Sequence, residues 1–365
     1  MTIDKVKRAT QHTSSNYDSY SFRQEVLNEL RAIFPFEASC FTTVDPNTLL
    51  STGAVTDPCI EKIHSYLFEN EYMSHDFNHY TSLTKLVKPI ATLGLSTNGN
   101  PYLSKRYRDI LLPAGFGDEL RAALMYQGKC WGFLTLFRST EQLSFSASEV
   151  ESIMKLLPSI AQSLRDKTLY SSLPPHLETF KSAVMIISEN FDLISTNDAA
   201  DSLLLWLREK ENIAPTILPR PIRAICSRTK ANSYHSQNED EAKVCTRSFN
   251  GPFVSIQASE LNSFSPSKQY AVITERAQPH EVMALAIEYY GLTLREKQIV
   301  ERVVHGDSSK QIANSLNISL HTVQDHLKSI FYKTSVSSRR ELIWLMLSQY
   351  SLPSSNVLTK KENVL

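Results

Sequence analysis

The sequence lacks a net charge, a long apolar run and an export signal. Lys+Arg and Asp+Glu number 38 each among 365 residues, so any basic patch must be local. No stretch of about 18 uninterrupted apolar residues occurs, which argues against a membrane-spanning helix. The first ten residues are polar where a secretory signal would be apolar. We therefore expect a cytoplasmic protein without a membrane partner.

Clustered cysteines and glycine-rich loops are also missing. The five cysteines form no CxxC pair and no zinc spacing, which is typical of small buried side chains, with redox or metal sensing as the alternative. Gly115-Phe-Gly117 lacks the third glycine of a dinucleotide loop, and no GxxxxGK[ST] motif is present. We expect no metal, no cofactor and no enzymatic activity.

The length predicts two or three domains, of which the first covers residues 18–168. Its apolar pattern indicates a helix that ends before Pro35 and a hairpin that turns at Gln127-Gly128. Ser146 and Glu149 form a capping box for a helix that Pro158 should kink. This region is predicted to be an α/β unit.

A Ser/Pro-rich joint separates this region from a second α/β unit, at residues 176–278. We expect strands near Ala183–Ile187 and Tyr270–Thr274, a helix from Asn197 to Glu209, and a polar loop from Thr229 to Glu241. Successive α/β units with short strands are typical of sensor modules.

Residues 288–350 have a different pattern, with four short helices and brief connections. The first helix begins at Thr293, the second at either Ser308 or Ser309, and the third at Ser319. The fourth follows the capping box Ser338–Glu341. The helix at 319–333 buries an apolar stripe and leaves a polar face suited to base edges in a major groove. Between Thr293 and Leu347, eight Lys and Arg exceed five Asp and Glu, which favours phosphate contact.

These residues carry a family resemblance, which covers about 55 residues. The pattern resembles the LuxR-type helix-turn-helix domain of bacterial transcription regulators, in the segments LTLRE, IANSLNIS, TVQDHL and SRREL. The resemblance implies that helix 319–333 is the recognition helix, with Gln324, Asp325 and Lys328 as base-reading residues. One departure is Thr334-Ser335, where the family often has Leu-Gly, and this turn could differ in shape. The implied phosphate contacts are Lys310, Ser319, Thr322, His326, Lys333, Arg339 and Arg340.

The apolar surplus of the last helix suggests a homodimer seam at Leu342, Leu345 and Met346. Such a protein would bind double-stranded DNA as a dimer, with RNA polymerase as a further candidate partner. The tail at 351–365 is polar and is expected to be disordered.

A second resemblance concerns the sensor region. The segments FGDELRAALMYQGKCWGFLTLFR and FSASEVESIMKLLPSIAQSLR resemble the last hairpin and helix of GAF-type sensor domains, and the second unit resembles a PAS-like fold. A small-molecule effector or a protein signal is the implied input. The candidate pocket residues, for which a simple core role is the alternative, are Tyr66, Tyr80, Tyr102, Phe116, Cys130 and Trp131.

The expected fold class is thus multidomain α+β, with GAF-like and PAS-like sensor units before an all-α four-helix LuxR-type helix-turn-helix domain. The expected function is sequence-specific regulation of transcription. The main alternative outside enzymes is an adaptor that binds another regulator through its sensor units without contacting DNA.

Overall fold

The computed structural model describes residues 18–170, 181–234, 241–247, 253–262, 267–278, 281, 283 and 290–351, with the side chains of 170, 247 and 347–351 left out. The chain divides into two compact units. One comprises Met1–Ser171, Lys181–Phe249 and Ser255–Glu275, and the other comprises Ser172–Phe180, Asn250–Val254 and Arg276–Leu365. Both expected sensor regions fall largely in the first unit, and the boundary between them at 168–176 stays a prediction.

The first unit begins with a five-stranded antiparallel sheet in the order β2-β1-β5-β4-β3. Its strands are β1 (Ala38–Val44), β2 (Ser51–Thr56), β3 (Ile90–Thr92), β4 (Phe116–Tyr126) and β5 (Lys129–Ser139). The turn between β4 and β5 has positive φ at both Gln127 and Gly128, as a two-residue type I′ hairpin requires. The hairpin is therefore confirmed.

Helices cover both faces of this sheet. On one face lie α1 (Ser19–Arg31) and the pair α5 (Ala147–Met154) and α6 (Leu157–Tyr170). The opposite face is covered by α2 (Pro58–Met73), with the short helices α3 (Tyr80–Leu83) and α4 (Leu93–Ser96). The capping box at Ser146 is present, but Pro158 does more than kink the helix. The helix ends at Met154, and Pro158 falls in the first turn of a new helix. Proline is tolerated there because the backbone N–H groups of a first turn have no acceptor within the helix.

The second sheet has the order β7-β6-β10-β9-β8. When the strands of each sheet are numbered from one to five along the chain, both sheets have the order 2-1-5-4-3. The strands are β6 (Val184–Ser188), β7 (Leu193–Thr196), β8 (Lys243–Arg247), β9 (Phe253–Leu261) and β10 (Gln269–Arg276). Helix α7 (Asp198–Glu211) matches the predicted helix, whereas α8 (Arg220–Tyr234) overturns the loop expected from Thr229, at least as far as residue 234. Residues 235–240 lie outside the described residues.

The second unit contains α9 (Leu294–Val304), α10 (Ser309–Leu316), α11 (Leu320–Thr334) and α12 (Arg339–Ser351). Thr293, Ser308 and Ser319 cap the first three through their hydroxyls, so Ser308 is the cap of α10. At the predicted capping box of α12, the Glu341 amide donates to Ser338, but the Glu341 carboxylate accepts from Ser337. One core holds these helices together, and it includes Ile299, Val303, Ile312, Val323, Leu327, Ile330, Leu342 and Met346.

No helix among the described residues has the length and apolar character needed to cross a membrane. The tail from 352 lies outside the described residues.

Candidate nucleic-acid interface

The helix α11 separates an inward apolar face from an outward polar face. Val323, Leu327 and Ile330 recur at intervals of four and three residues, and all three are buried in the core of the second unit. Ser319 begins the helix by accepting a hydrogen bond from the amide of Thr322 at 3.0 Å. Because one face of the helix is packed against this core, the polar face on the other side is held in a fixed orientation.

The three residues predicted to read bases, Gln324, Asp325 and Lys328, are all exposed on this outward face. Asp325 lies between two neighbouring side chains, with its carboxylate 3.6 Å from His321 Nε2 and 3.5 Å from Lys328 Nζ. These contacts lie on the surface and are weak, so Lys328 can exchange Asp325 for a base edge at small cost. The carboxylate also remains able to accept from a cytosine amino group.

The predicted phosphate contacts divide into residues that are accessible and residues that are engaged. Lys310 and Arg340 are exposed. The hydroxyls of Ser319 and Thr322 are hydrogen-bonded to each other at 2.8 Å at the amino terminus of α11, and His326 beside them is half-buried. An anion placed there would also meet the positive end of the helix dipole.

Lys333 and Arg339 are engaged within the unit. Lys333 Nζ donates to the buried carboxylate of Glu296 at 2.7 Å and to the carbonyl of Gly291 at 3.4 Å. Arg339 donates to the carbonyl of Asp307. Both residues are half-buried, and their role as phosphate contacts stays a prediction.

Glu296 was not among the predicted site residues, although the sequence did predict a helix start at Thr293. Its carboxylate also accepts from Ser329 of α11 at 2.7 Å, so the start of α9 is tied to the recognition helix at two points. Burial raises the pKa of Glu296, but hydrogen bonds from Lys333, Ser329 and Thr293 outweigh it and hold the pKa at about 2. Ser329 and Lys333 follow Glu296 by 33 and 37 residues, so no short sequence motif could indicate that they contact it.

The residues of the predicted dimer seam lie mostly inside their own unit, and the seam itself stays a prediction. Leu342 and Met346 are fully buried in the core of their own unit, and Leu345 packs partly against that core. A side chain already inside one copy cannot form an interface with another. Trp344, with 63% of its surface exposed, is the large apolar residue that α12 presents outward.

The predicted ligand pocket is also mostly displaced. In the first unit a cavity of about 70 Å³ lies between the sheet and α2, and of the six candidates only Tyr80 lines it. Tyr66 and Tyr102 are exposed, while Phe116, Cys130 and Trp131 are buried elsewhere in the core. The residues missed by the sequence analysis include Glu71, His64 and Arg121, of which Arg121 is a buried charge in the middle of β4.

Among the described residues, no group of three or more His, Cys, Asp or Glu side chains is arranged to hold a metal ion.

The arrangement of α10 and α11 is that of a helix-turn-helix, the class of DNA-binding fold in which the second helix enters the major groove. Residues 291–346 match the family model of bacterial regulatory proteins of the luxR family, and this carboxy-terminal domain belongs to that family.

Two transcriptional regulators from other bacteria are similar to part of this chain. A monoamine regulon transcriptional regulator of Klebsiella aerogenes is 47% identical over 104 residues, which is 28% of this chain and 43% of the relative. The uncharacterized transcriptional regulatory protein YhcZ of Bacillus subtilis (strain 168) is 39% identical over 54 residues, 15% of this chain and 25% of the relative. The chain thus spans less than half of the length of either protein.

Solved structures give weaker similarities. A structure of Escherichia coli SdiA covers 95% of this chain and 97% of its own, with 11% identity and a TM-score of 0.34. The GAF domain/HD domain protein from Geobacter sulfurreducens covers 43% of this chain and 99% of its own, with 14% identity and a TM-score of 0.32. These scores are too low for any conclusion about this chain's fold.

Proposed function

We propose that the chain is a sequence-specific DNA-binding regulator of transcription that inserts α11 into the major groove. The carrying observation is the division of α11 into a buried stripe of Val323, Leu327 and Ile330 and an exposed polar face. Gln324, Asp325 and Lys328 are proposed to contact base edges. Lys310, Arg340 and the hydroxyls of Ser319 and Thr322, with His326, are proposed to contact phosphates.

A binding assay tests this proposal. Genomic fragments are selected on the purified full chain, and the affinity of the best fragment is measured by fluorescence anisotropy against a scrambled duplex. We expect tighter binding to the selected fragment, and Lys310→Ala should weaken binding to both duplexes. Lys155→Ala, which removes an exposed lysine from α5–α6 in the other unit, is the matched control and should change neither. Failure to bind any fragment, together with capture of a second regulator, would favour the adaptor alternative.

We propose further that the regulator acts as a homodimer, through a surface centred on Trp344 instead of the buried leucine and methionine of α12. Exposed aromatic side chains of this size are typical interface anchors. Sedimentation should show a dimer for the wild-type chain and a monomer for Trp344→Glu. Leu143→Glu changes another exposed apolar residue, in the first unit, and should leave the dimer intact. A wild-type chain that is monomeric both free and on DNA would refute this.

The sheet-containing unit is proposed to be the sensor, with a GAF-like domain at 18–168 and a PAS-like domain at 176–278. The shared strand order of the two sheets and the cavity beside the first of them support this assignment. A small molecule or protein signal would act there on a cytoplasmic regulator, with RNA polymerase as a candidate contact. Native mass spectrometry of the purified chain, before and after denaturation, tests whether a small molecule is carried with it.

A further inference from the structure

The cavity of the first unit collects buried polar atoms that have no partner. It lies between α2 and the face of the sheet that carries Cys40, Thr42, Phe133 and Thr135. Arg121 Nε and Nη1, His64 Nδ1 and Ser51 Oγ all belong to residues that line it, and none of these atoms has a hydrogen-bond partner among the described residues. Buried polar atoms without partners are rare, because each costs about 1 to 3 kcal/mol in lost solvation. Their convergence on one cavity indicates that its occupant supplies the partners.

Arg121 determines the charge that this occupant must have. The side chain is 1% exposed, and one terminal nitrogen is paired with Glu71 while its guanidinium stacks 4.0 Å over the ring of Tyr80. Tyr80 is in turn stacked on Phe133 with ring centroids 3.8 Å apart, so the guanidinium plane is fixed. The N–H groups of Nε and Nη1 have no acceptor, and because they point in different directions each can donate separately to an acceptor oxygen. An ionised carboxylate is the strongest acceptor for such donors.

The Glu71 carboxylate is already engaged by protein donors. It accepts from the amide of Tyr80 at 2.9 Å, lies 3.7 Å from His79 Nδ1 and binds Arg121. A cationic ligand would therefore have to compete with Arg121 for this carboxylate and would also face Arg106, which is held by Glu119 at 2.7 Å. Burial and the nearby arginines lower the pKa of His64 well below its usual range, so this imidazole is neutral and adds a polar contact without charge.

The rest of the cavity wall is hydrocarbon, and its size limits the ligand. Ile60, Leu67, Phe68, Phe133 and Phe137 supply apolar surface opposite the arginine. One water needs about 10 to 15 Å³ of cavity volume, so the 70 Å³ here holds a molecule of at most about seven non-hydrogen atoms. An inorganic anion would leave the apolar wall without a partner.

We propose that this cavity binds a small aliphatic monocarboxylate, of about two to five carbons, whose carboxylate accepts from the unpaired N–H donors of Arg121 and whose tail contacts α2. The inference rests on the proposed sensor role of this unit and names the class of its ligand. Ser51 and His64 complete the polar half of the site.

Propionate is the probe, and propionamide is its neutral counterpart of the same size. Thermal unfolding and isothermal titration of the full chain are measured in sodium propionate, propionamide and sodium chloride at matched ionic strength. We expect saturable binding and a raised melting temperature with propionate alone, with affinity declining beyond five carbons in a series from acetate to octanoate. Equal responses to propionate and propionamide, or none to any carboxylate in the series, would overturn the proposal and leave water as the occupant.

Two variants locate the site. Arg121→Lys retains a charge for Glu71 but removes the unpaired donors Nε and Nη1, and it should weaken propionate binding at least tenfold. Arg138→Lys makes the same change at a buried arginine that pairs with Glu149 away from the cavity, and it should bind propionate as the wild type does. If Arg121→Lys is unfolded by circular dichroism, His64→Phe serves in its place and should weaken binding at least threefold. Undiminished binding by the folded variant contradicts the assignment.

The DNA assay separates this inference from the proposed function. Selected DNA bound by a chain that ignores every carboxylate would remove the ligand assignment alone. Propionate bound by a chain that ignores DNA would remove the regulator and keep the site.

Discussion

At the scale of single residues, Lys328 and Arg340 are expected to contribute to DNA binding in different ways. Both are exposed, but Lys328 lies in the middle of the outward face of α11, whereas Arg340 lies at the start of α12. Lys328→Ala should cost about 1 to 3 kcal/mol at one base position and leave the other positions alone. Arg340→Ala should weaken binding to every sequence and reduce the magnitude of the salt slope by about one.

Titration of both variants against single-base changes of the selected site, at two salt concentrations, checks this distinction. A uniform loss across all sequences for Lys328→Ala would assign that residue to phosphate instead of to a base.

The buried carboxylate of Glu296 should stabilise the second unit in a pH-dependent way. Its folded pKa of about 2 lies below the ordinary 4.5, so its contribution is present above 4.5 and is lost as the pH falls towards 2. Glu296→Gln should therefore lower the free energy of unfolding by about 2 kcal/mol at pH 7, since hydrogen bonds to a charged group are replaced. The deficit should shrink between pH 5 and pH 3.

Urea unfolding of a fragment covering residues 278–351, followed by circular dichroism, measures this difference. Glu301→Gln, at an exposed position of the same helix, is the control and should behave as the wild type. A deficit that stays constant from pH 7 to pH 3 would show that the charge of Glu296 has no part in it.

At the scale of elements, the turn after α11 contains avoidable strain. Ser335 ends this helix with φ of 55°, where the family often has glycine, and a side chain in this region is disfavoured by about 1 to 2 kcal/mol. Ser335→Gly should stabilise the second unit by about 1 kcal/mol. Asn317→Gly, at φ of 52°, should change stability by only a few tenths, because asparagine tolerates this conformation. Equal effects at the two positions in urea unfolding would exclude a side-chain cause.

The elements that could be predicted from the sequence are those with strong local patterns. The helices from 294 to 334 were predicted because capping residues and apolar periodicity coincide there. The end of helix α8 was missed because the segment from Thr229 was interpreted as a polar loop, although Thr229 is buried and its hydroxyl donates to the distant Ala258 carbonyl at 3.3 Å.

The sites were harder to predict than the helices for the same reason. The Lys333–Glu296 pair and the lining of the cavity both depend on contacts between residues far apart in the chain. In the hairpin, a register shift between Ala123 and Met125 changes which side chains of β5 face α2. A period of two therefore could not show that Trp131 faces away from the cavity.

At the scale of the whole molecule, a buried ionic cluster connects the two sheet regions of the first unit. Glu61 of α2 binds both Arg220 and Arg223 of α8 at 2.7 Å, and the Arg220 amide donates to the Glu211 carboxylate at 3.0 Å. Burial raises the pKa of Glu211 to about 7 despite the nearby Arg220. The same helix α8 carries Arg228 to the wall of the cavity, so the cluster and the proposed ligand site share α2 and α8.

The raised pKa predicts a loss of stability as the pH rises from 4.5 to about 7. Between 4.5 and about 7 the folded state binds more protons than the unfolded chain, so the contribution of Glu211 is complete below 4.5 and is lost as the pH rises through 7. The melting temperature of Glu211→Gln relative to wild type should therefore increase from pH 5 to pH 8. Calorimetry measures this, and Glu151→Gln, at an exposed position, should show a constant difference. A Glu211→Gln difference independent of pH would mean that Glu211 is already ionised at pH 5.

The tie between Glu296 and the recognition helix also bears on the heat of DNA binding. Because Lys333 and Ser329 hold α11 against α9 within the domain, the reading helix is ordered before it meets the groove. Its ordering entropy is then part of folding and not of association. The heat-capacity change of complex formation should accordingly correspond to the apolar surface buried between protein and DNA, without the additional negative component that a helix folding on its target would add.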